Sequence, residues 1–84
     1  MKTRVVTITR RAIDPMALYK ATGRLLKVAR DRAGYTQEQT AAALGITRTQ
    51  WTNIEAGRTA IMLTHIYNFA LLTKIPVRDL IPRL

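Results

Sequence analysis

The chain has no cysteine, one histidine and five acidic residues among its 84 positions, and these shortages exclude several classes of protein. Without thiols the chain forms neither disulfides nor a thiolate metal site, and the single histidine, His65, has no second imidazole to complete one. A disulfide-stapled secreted scaffold is therefore excluded, and we expect no metal and no cofactor. The sequence also lacks a Gly-rich phosphate loop and a Ser/His/Asp set, so an enzyme is not expected.

Long apolar runs are missing as well. No stretch approaches the roughly 18 apolar residues of a membrane span. The N-terminus, MKTRVVTITRR, is too polar for a secretory signal. We therefore expect a cytoplasmic protein without membrane contact, built as one small domain whose core is just sufficient for folding.

Basic residues greatly outnumber acidic ones. Fourteen Lys and Arg against five Asp and Glu give a formal charge of +9, and the basic groups are concentrated in the N-terminal third. Such a field favours polyanions, either nucleic acid or an anionic membrane surface. Charge alone does not establish sequence specificity, and the alternative is a basic chain that is merely soluble.

The segment Thr36–Gly57, TQEQTAAALGITRTQWTNIEAG, carries the strongest signal in the sequence. Thr36 and Thr47 are each followed three residues later by Gln, which is the Thr-x-x-Gln capping box of a helix start. Helix-favouring alanines follow the first box, and Gly45 supplies the positive φ that ends a helix. Two helices joined by a short Gly-containing turn form a helix-turn-helix.

The second helix of this motif, at about residues 47–56, carries side chains suited to a DNA major groove. Arg48, Thr49 and, about one turn further, Asn53 present groups that hydrogen-bond to base edges. Gln50 either completes the capping box by itself or also contacts a base. The sequence therefore predicts a protein that binds DNA and reads its base sequence.

A longer helix is predicted before the motif. Asp14 as N-cap and Pro15 at the first helical position begin it, and Gly34 ends it. Gly23 weakens its middle by up to about 1 kcal/mol relative to Ala, so the helix either bends there or begins near Ala21. Four residues of this segment are predicted to face a core: Leu18, Leu25, Leu26 and Ala29.

Two helices are predicted after the motif. Residues 63–74 have apolar side chains at three- and four-residue steps, and Pro76 ends this helix before a last short helix at 77–81. The apolar set that we expect to face the core is Leu63, Ile66, Tyr67, Ala70 and Leu71. Within the motif, Trp51 and Ile54 are also expected to pack inward. The sum is a compact all-α domain of five helices over residues 14–84.

Residues 1–13 are predicted to form a separate basic arm or strand. Arg4–Arg10 is rich in β-branched residues, which favours a strand. Because the sequence offers no second strand, this segment pairs with a second copy of the chain, pairs with another protein, or stays a flexible arm.

These motifs together resemble the helix-turn-helix domain of lambdoid phage repressors and Cro proteins, the Xre family. The resemblance spans residues 20–81, about three quarters of the chain, without interruption in spacing. The residues that carry it are Arg30, Gly34, Thr36-Gln37-Glu38, Leu44-Gly45-Ile46, Ile54-Glu55, Gly57-Arg58 and Ala70. Four positions depart from the usual pattern of the family: Thr40, Trp51, Thr73 and Lys74.

The family implies a lambda-repressor-like fold and a role for each matching residue. The residues expected to reach base edges are Arg48, Thr49 and Asn53, with Gln50 beside them. Those expected to contact phosphate are Gln37 and Arg58, together with the helix caps Thr36 and Thr47. Arg30 and Glu55 correspond to an ion pair that ties the first helix to the recognition helix.

The leading hypothesis is a transcriptional regulator, acting as a repressor, that binds a pseudo-palindromic operator on double-stranded DNA as a homodimer. A bacterial or phage-encoded origin fits this family. The dimer would form through the N-terminal strand or through the C-terminal apolar cluster, which comprises Leu71, Leu72, Ile75, Val77, Leu80, Ile81 and Leu84. The alternatives are an antitoxin whose N-terminal strand adds to the sheet of a toxin partner, and a non-specific architectural DNA binder.

Overall fold

Four α-helices and one 3₁₀ turn make up residues 12–83, the part of the chain that the computed structural model describes. They are α1 (Pro15–Ala33), α2 (Gln37–Leu44), α3 (Arg48–Glu55), α4 (Leu63–Thr73) and the 3₁₀ turn Val77–Asp79. Within this range there is no strand, so the predicted all-α fold is confirmed. The fifth helix, expected at 77–81, is the short 3₁₀ turn. The strand or arm predicted at 4–10 lies outside the described residues.

The helix ends follow the capping chemistry predicted from the sequence. The backbone N–H of Met16 donates to the Asp14 carboxylate at 3.2 Å, and Gly34 ends α1 with a φ of 80°. In α2, the Thr36 hydroxyl accepts from the backbone of Gln39 at 3.0 Å, and the Gln39 side chain accepts from the backbone of Thr36 at 2.9 Å. This capping box satisfies two backbone donors that the helix leaves free.

Helix α1 begins at Pro15 and is continuous through Gly23, so the predicted late start near Ala21 is wrong. Gly23 is buried against the C-terminal end of α3. A Cβ atom at this position would lie 2.7 Å from the carbonyl oxygen of Ile54 and closer still to that of Glu55. The missing side chain therefore allows two helix backbones to come into close contact, and that contact holds α3 in place.

The core is centred on aromatic side chains of α3 and α4. Trp51 and Phe69 are fully buried and stacked, with ring centroids 5.2 Å apart. The other buried apolar residues are Leu26, Ala29, Ala41, Leu44, Ile54, Ile66 and Leu80. Trp51 and Ile54 thus pack inward as predicted, and the opposite face of α3 is left for solvent.

Helix α4 is rotated relative to the sequence prediction. Ile66 and Phe69 face the core, whereas three residues predicted to be internal, Leu63, Tyr67 and Leu71, are exposed. The helix is apolar around much of its circumference, so the spacing of apolar residues does not show which face is buried. The stacking of Phe69 on Trp51 determines the buried face. We refer to the exposed row of Leu63, Tyr67 and Leu71 as the α4 stripe.

The C-terminal apolar cluster divides between core and surface. Leu80 is fully buried, and Ile75 and Val77 are partly buried against the same core. Leu71 and Ile81 stay exposed, at 78% and 42%. Over residues 12–83, no helix has both the length and the apolar character that crossing a bilayer requires.

Candidate DNA-binding surface

The polar face of α3 points to solvent because its other face is held in the core. Trp51, Ile54 and Glu55 are buried, while Arg48 and Thr49 are exposed and Asn53 is partly exposed. This arrangement follows the 3.6-residue helical repeat, which places residues one turn apart on the same side. Three of the four predicted base-contact residues, Arg48, Thr49 and Asn53, therefore lie together on the outer surface of the helix.

These residues line one shallow depression together with residues from two neighbouring segments. Its lining comprises Gln37, Arg48, Thr49, Thr52, Asn53 and Arg58. Five of them were selected from the sequence as DNA contacts, and Thr52 was not. We call this depression the α3 surface. It contains two cations and no acidic side chain, which suits a polyanion.

The two helix N-termini beside the α3 surface are capped by the remaining candidate residues. Thr36 and Thr47 are exposed N-caps of α2 and α3. The Gln50 side chain accepts from the backbone N–H of Thr47 at 2.8 Å, which completes the second capping box. This bond uses one lone pair of its carbonyl oxygen, so the second lone pair and the amide N–H groups are left for a base.

Asn53 and Arg58 are joined by a hydrogen bond that sequence reasoning did not reveal. A guanidinium N–H of Arg58 donates to Oδ1 of Asn53 at 3.2 Å. The amide N–H groups of Asn53 stay available, and its oxygen has a second lone pair that can accept from an adenine amino group. The contact therefore orients the asparagine amide and holds a cation beside it.

Gln37 connects the α3 surface to the interior. Its amide donates to Oε1 of Glu55 at 3.2 Å, and its own oxygen accepts from the Thr52 hydroxyl at 3.4 Å. Gln37 was predicted to contact phosphate with its amide and with the N-terminus of α2. In this structure both ends of its amide bridge α2 to α3, which leaves one amide N–H and the helix N-terminus for that contact.

Beneath this surface lies the ion pair between Arg30 and Glu55. Arg30 donates from Nε to Oε2 of Glu55 at 2.5 Å and from Nη2 to Oε1 at 3.1 Å. A third guanidinium N–H donates to the carbonyl oxygen of Tyr35 at 2.8 Å. The hydrogen bond that Arg30 donates to the Glu55 carboxylate raises the pKa of Arg30, although burial acts in the opposite direction.

The same carboxylate also accepts from Nε1 of Trp51. Glu55 thus has donors from α1, α2 and α3, and only 4% of its side chain is exposed. The role of Trp51 was missed, although its spacing of four residues from Glu55 puts both on one helix face. One buried carboxylate therefore fixes α3 relative to the other two helices.

A short Gly turn joins α2 to α3, and α3 presents a solvated polar face flanked by cations. This geometry defines a helix-turn-helix DNA-binding protein. The family described as Helix-turn-helix domain matches residues 21–66, which is more than half of the chain. The chain belongs to this family, and it is an Xre/Cro-like helix-turn-helix protein.

Solved structures give the same result for the fold. The restriction-modification controller protein C.AhdI from Aeromonas hydrophila is similar, with a TM-score of 0.70 and 28% identity, covering 76% of this chain and 97% of that one. The hypothetical transcription factor NHTF from Neisseria has a TM-score of 0.70 and 24% identity, covering 90% of this chain and 87% of that one. No curated protein sequence matches the chain.

Family and fold together identify a DNA-binding transcriptional regulator. Membership of this regulator family points away from an enzyme.

Proposed function

We propose that the protein is a sequence-specific repressor that binds a pseudo-palindromic operator as a homodimer. The observation that carries this proposal is the α3 surface, where a polar helix face, two cations and a helix N-terminus meet. Residues 14–84 would form the DNA-binding domain and residues 1–13 a basic arm. A cytoplasmic setting in a bacterium, with the gene on a phage or mobile element, fits this role.

In the proposed complex each protomer places α3 in one major groove. Two-fold symmetry would then put the half-sites about 34 Å apart, or a multiple of that distance. The basic arm, Arg58 and the N-termini of α2 and α3 would supply phosphate contacts. With about 6–10 such contacts, affinity would fall by about 10³–10⁵ between 50 and 200 mM salt.

The proposal is tested by selecting bound oligonucleotides from a random duplex pool and then sizing the complex in solution. We expect an enriched site with two inverted half-sites, bound by two protomers. Each substituted base pair should then cost about 1–3 kcal/mol. A mismatch series in which every change costs under about 0.5 kcal/mol would instead support a non-specific architectural role.

Arg48→Ala is expected to weaken binding to the selected site at least about fivefold and to relax base preference at one position, because a bidentate arginine–guanine contact supplies about 1–3 kcal/mol of discrimination. Repeating the selection with the variant measures this directly. Arg32→Ala is a suitable control, since Arg32 is an exposed cation near the end of α1. If the variant loses the same affinity for every DNA sequence, Arg48 contacts phosphate and not a base.

The α4 stripe is the surface we propose for dimerisation. Leu63, Tyr67 and Leu71 are 65%, 55% and 78% exposed and repeat at four-residue steps on one side of α4. A contiguous apolar row of this kind marks an interaction site. The other candidate for the dimer interface is the predicted N-terminal strand, which lies outside the described residues.

Leu71→Glu is expected to shift the protein towards monomer, since it places a charge in the proposed apolar interface. Analytical ultracentrifugation of the full chain measures the change. Ala17→Glu, at an exposed position of α1 and so outside the stripe, is the matched control. If Leu71→Glu stays dimeric and deletion of residues 1–12 gives monomers, the interface is the N-terminal segment.

A further inference from the structure

An apolar groove with a basic rim lies on the far side of α1 from the DNA-binding surface. Its floor is formed by Leu25 and Val28 of α1 and by Ile81 of the C-terminal segment. Arg24, Arg78 and Arg83 stand around it. We call it the α1 groove. Its volume of about 560 Å³ is within the roughly 300–1,000 Å³ range of binding pockets.

The position of the groove separates it from the contacts that hold α3. Gly23 faces α3, and successive residues are rotated by about 100° around a helix axis. Leu25 and Val28 therefore lie on roughly the opposite side of α1 from Gly23. A molecule bound in the groove would leave the α3 surface uncovered.

The groove combines exposed apolar area with unneutralised charge. Val28 is 50% exposed and Ile81 42%, although both are large aliphatic residues. Asp79 is the acidic residue in the lining. Among residues 12–83, none of the three arginines of the rim has a carboxylate within 4.0 Å, since the ion pairs found there all involve Arg30.

This combination favours one class of occupant. An aliphatic or aromatic side chain would gain by covering the floor, and carboxylates beside it would meet the guanidinium groups of the rim. A DNA backbone offers phosphates but no apolar group for the floor. The N-terminal segment of the chain carries Lys2, Arg4, Arg10 and Arg11 without an acidic residue, so it has no carboxylate to offer the arginines of the rim. A second copy has five acidic residues against fourteen basic ones, so an acidic segment of another protein matches the rim better.

We propose that the α1 groove binds an acidic amphipathic segment of a partner protein while α3 remains free for DNA. The partner would insert one or two apolar side chains from a helix whose flanking residues are Asp or Glu. Recognition of this kind is the helix-in-groove mode, in which apolar anchors repeat at helical spacing. The protein would then bind DNA through α3 and a partner protein through the α1 groove.

The test is selection of a random peptide display library on the full chain. We expect recovered peptides to combine apolar residues at helical spacing with Asp and Glu. Val28→Glu and Arg78→Glu should each weaken their binding at least about tenfold, because each introduces a carboxylate facing those of the peptide. Lys27→Glu makes the same kind of charge change on α1 outside the groove lining and should change affinity less than about threefold.

Other outcomes would overturn the proposal. The proposal is wrong if the selection recovers no peptide or only basic peptides. It is also wrong if Lys27→Glu weakens peptide binding as much as the groove variants do, or if a random-sequence DNA duplex displaces the peptide. Tighter peptide binding after deletion of residues 1–11 would identify the chain's own N-terminus as the occupant, and dissociation of a homodimer by Val28→Glu would identify a second copy. The selected operator site of each variant, measured in parallel, shows separately whether the DNA-binding proposal holds.

Discussion

Glu55→Ala is expected to lower the free energy of unfolding by about 3–5 kcal/mol, because it leaves the buried guanidinium of Arg30 without its charge partner. The loss is large against the roughly 5–15 kcal/mol that stabilises a small domain. Trp51 and Gln37 would lose their acceptor in the same substitution. Urea denaturation should show the midpoint falling by about 1 M or more, given a slope of about 1–3 kcal/mol/M.

Two further variants distinguish the effect of the ion pair on stability from the effect of removing a side chain. Glu55→Gln keeps an oxygen for Trp51 and Arg30 but removes the charge, so its stability should be intermediate. Asp31→Ala removes the other carboxylate near Arg30, 3.2 Å away and 60% exposed. An exposed pair contributes about 0–1 kcal/mol, so this variant should unfold close to the unsubstituted protein.

The Glu55 prediction also separates stability from specificity. Below the unfolding transition, Glu55→Ala should select the same operator sequence, because Glu55 lies beneath the α3 surface and not in its lining. If the urea midpoint is unchanged, the pair does not hold the helices together. If base preference changes while stability does not, Glu55 acts on DNA recognition through Gln37, with which it shares a hydrogen bond.

The features that the sequence predicted correctly are those that depend on residues close together in the chain. The caps at Asp14, Thr36 and Thr47 depend on hydrogen bonds between residues two or three positions apart, so the sequence alone contains all their partners. The outward face of α3 was predicted for a similar reason, since it alternates polar with apolar residues at helical spacing. These local signals were sufficient to predict the helix-turn-helix.

What the sequence did not predict depends on partners far along the chain. The buried face of α4 is decided by the contact of Phe69 with Trp51, and an all-round apolar helix carries no sign of it. The bond between Arg58 and Asn53 requires the exact course of the turn after α3. The network around Glu55 joins three helices, and only its Arg30 branch was expected from family resemblance.

Gly23 shows how a local rule is overridden by a distant contact. Intrinsic propensity predicts that Gly23→Ala should stabilise α1 by about 1 kcal/mol. The structure predicts the opposite, because the new Cβ would meet the carbonyl oxygens of Ile54 and Glu55, which are backbone atoms and cannot rotate away. Gly57 lies at the same helix contact, where a Cβ would approach the Cα of Lys20 to 2.6 Å.

Gly23→Ala is therefore expected to lower the free energy of unfolding by about 3 kcal/mol, the upper part of the range for inserting a methyl group into a packed interior. Separation of α1 from α3 would also strain the ion pair of Glu55 with Arg30, so affinity for the operator should fall together with stability. Ala17→Gly, at an exposed position of the same helix, is the control for propensity and should cost about 1 kcal/mol. A Gly23→Ala protein that is more stable than the parent would show that the two backbones do not touch as described, because then propensity alone would account for the change.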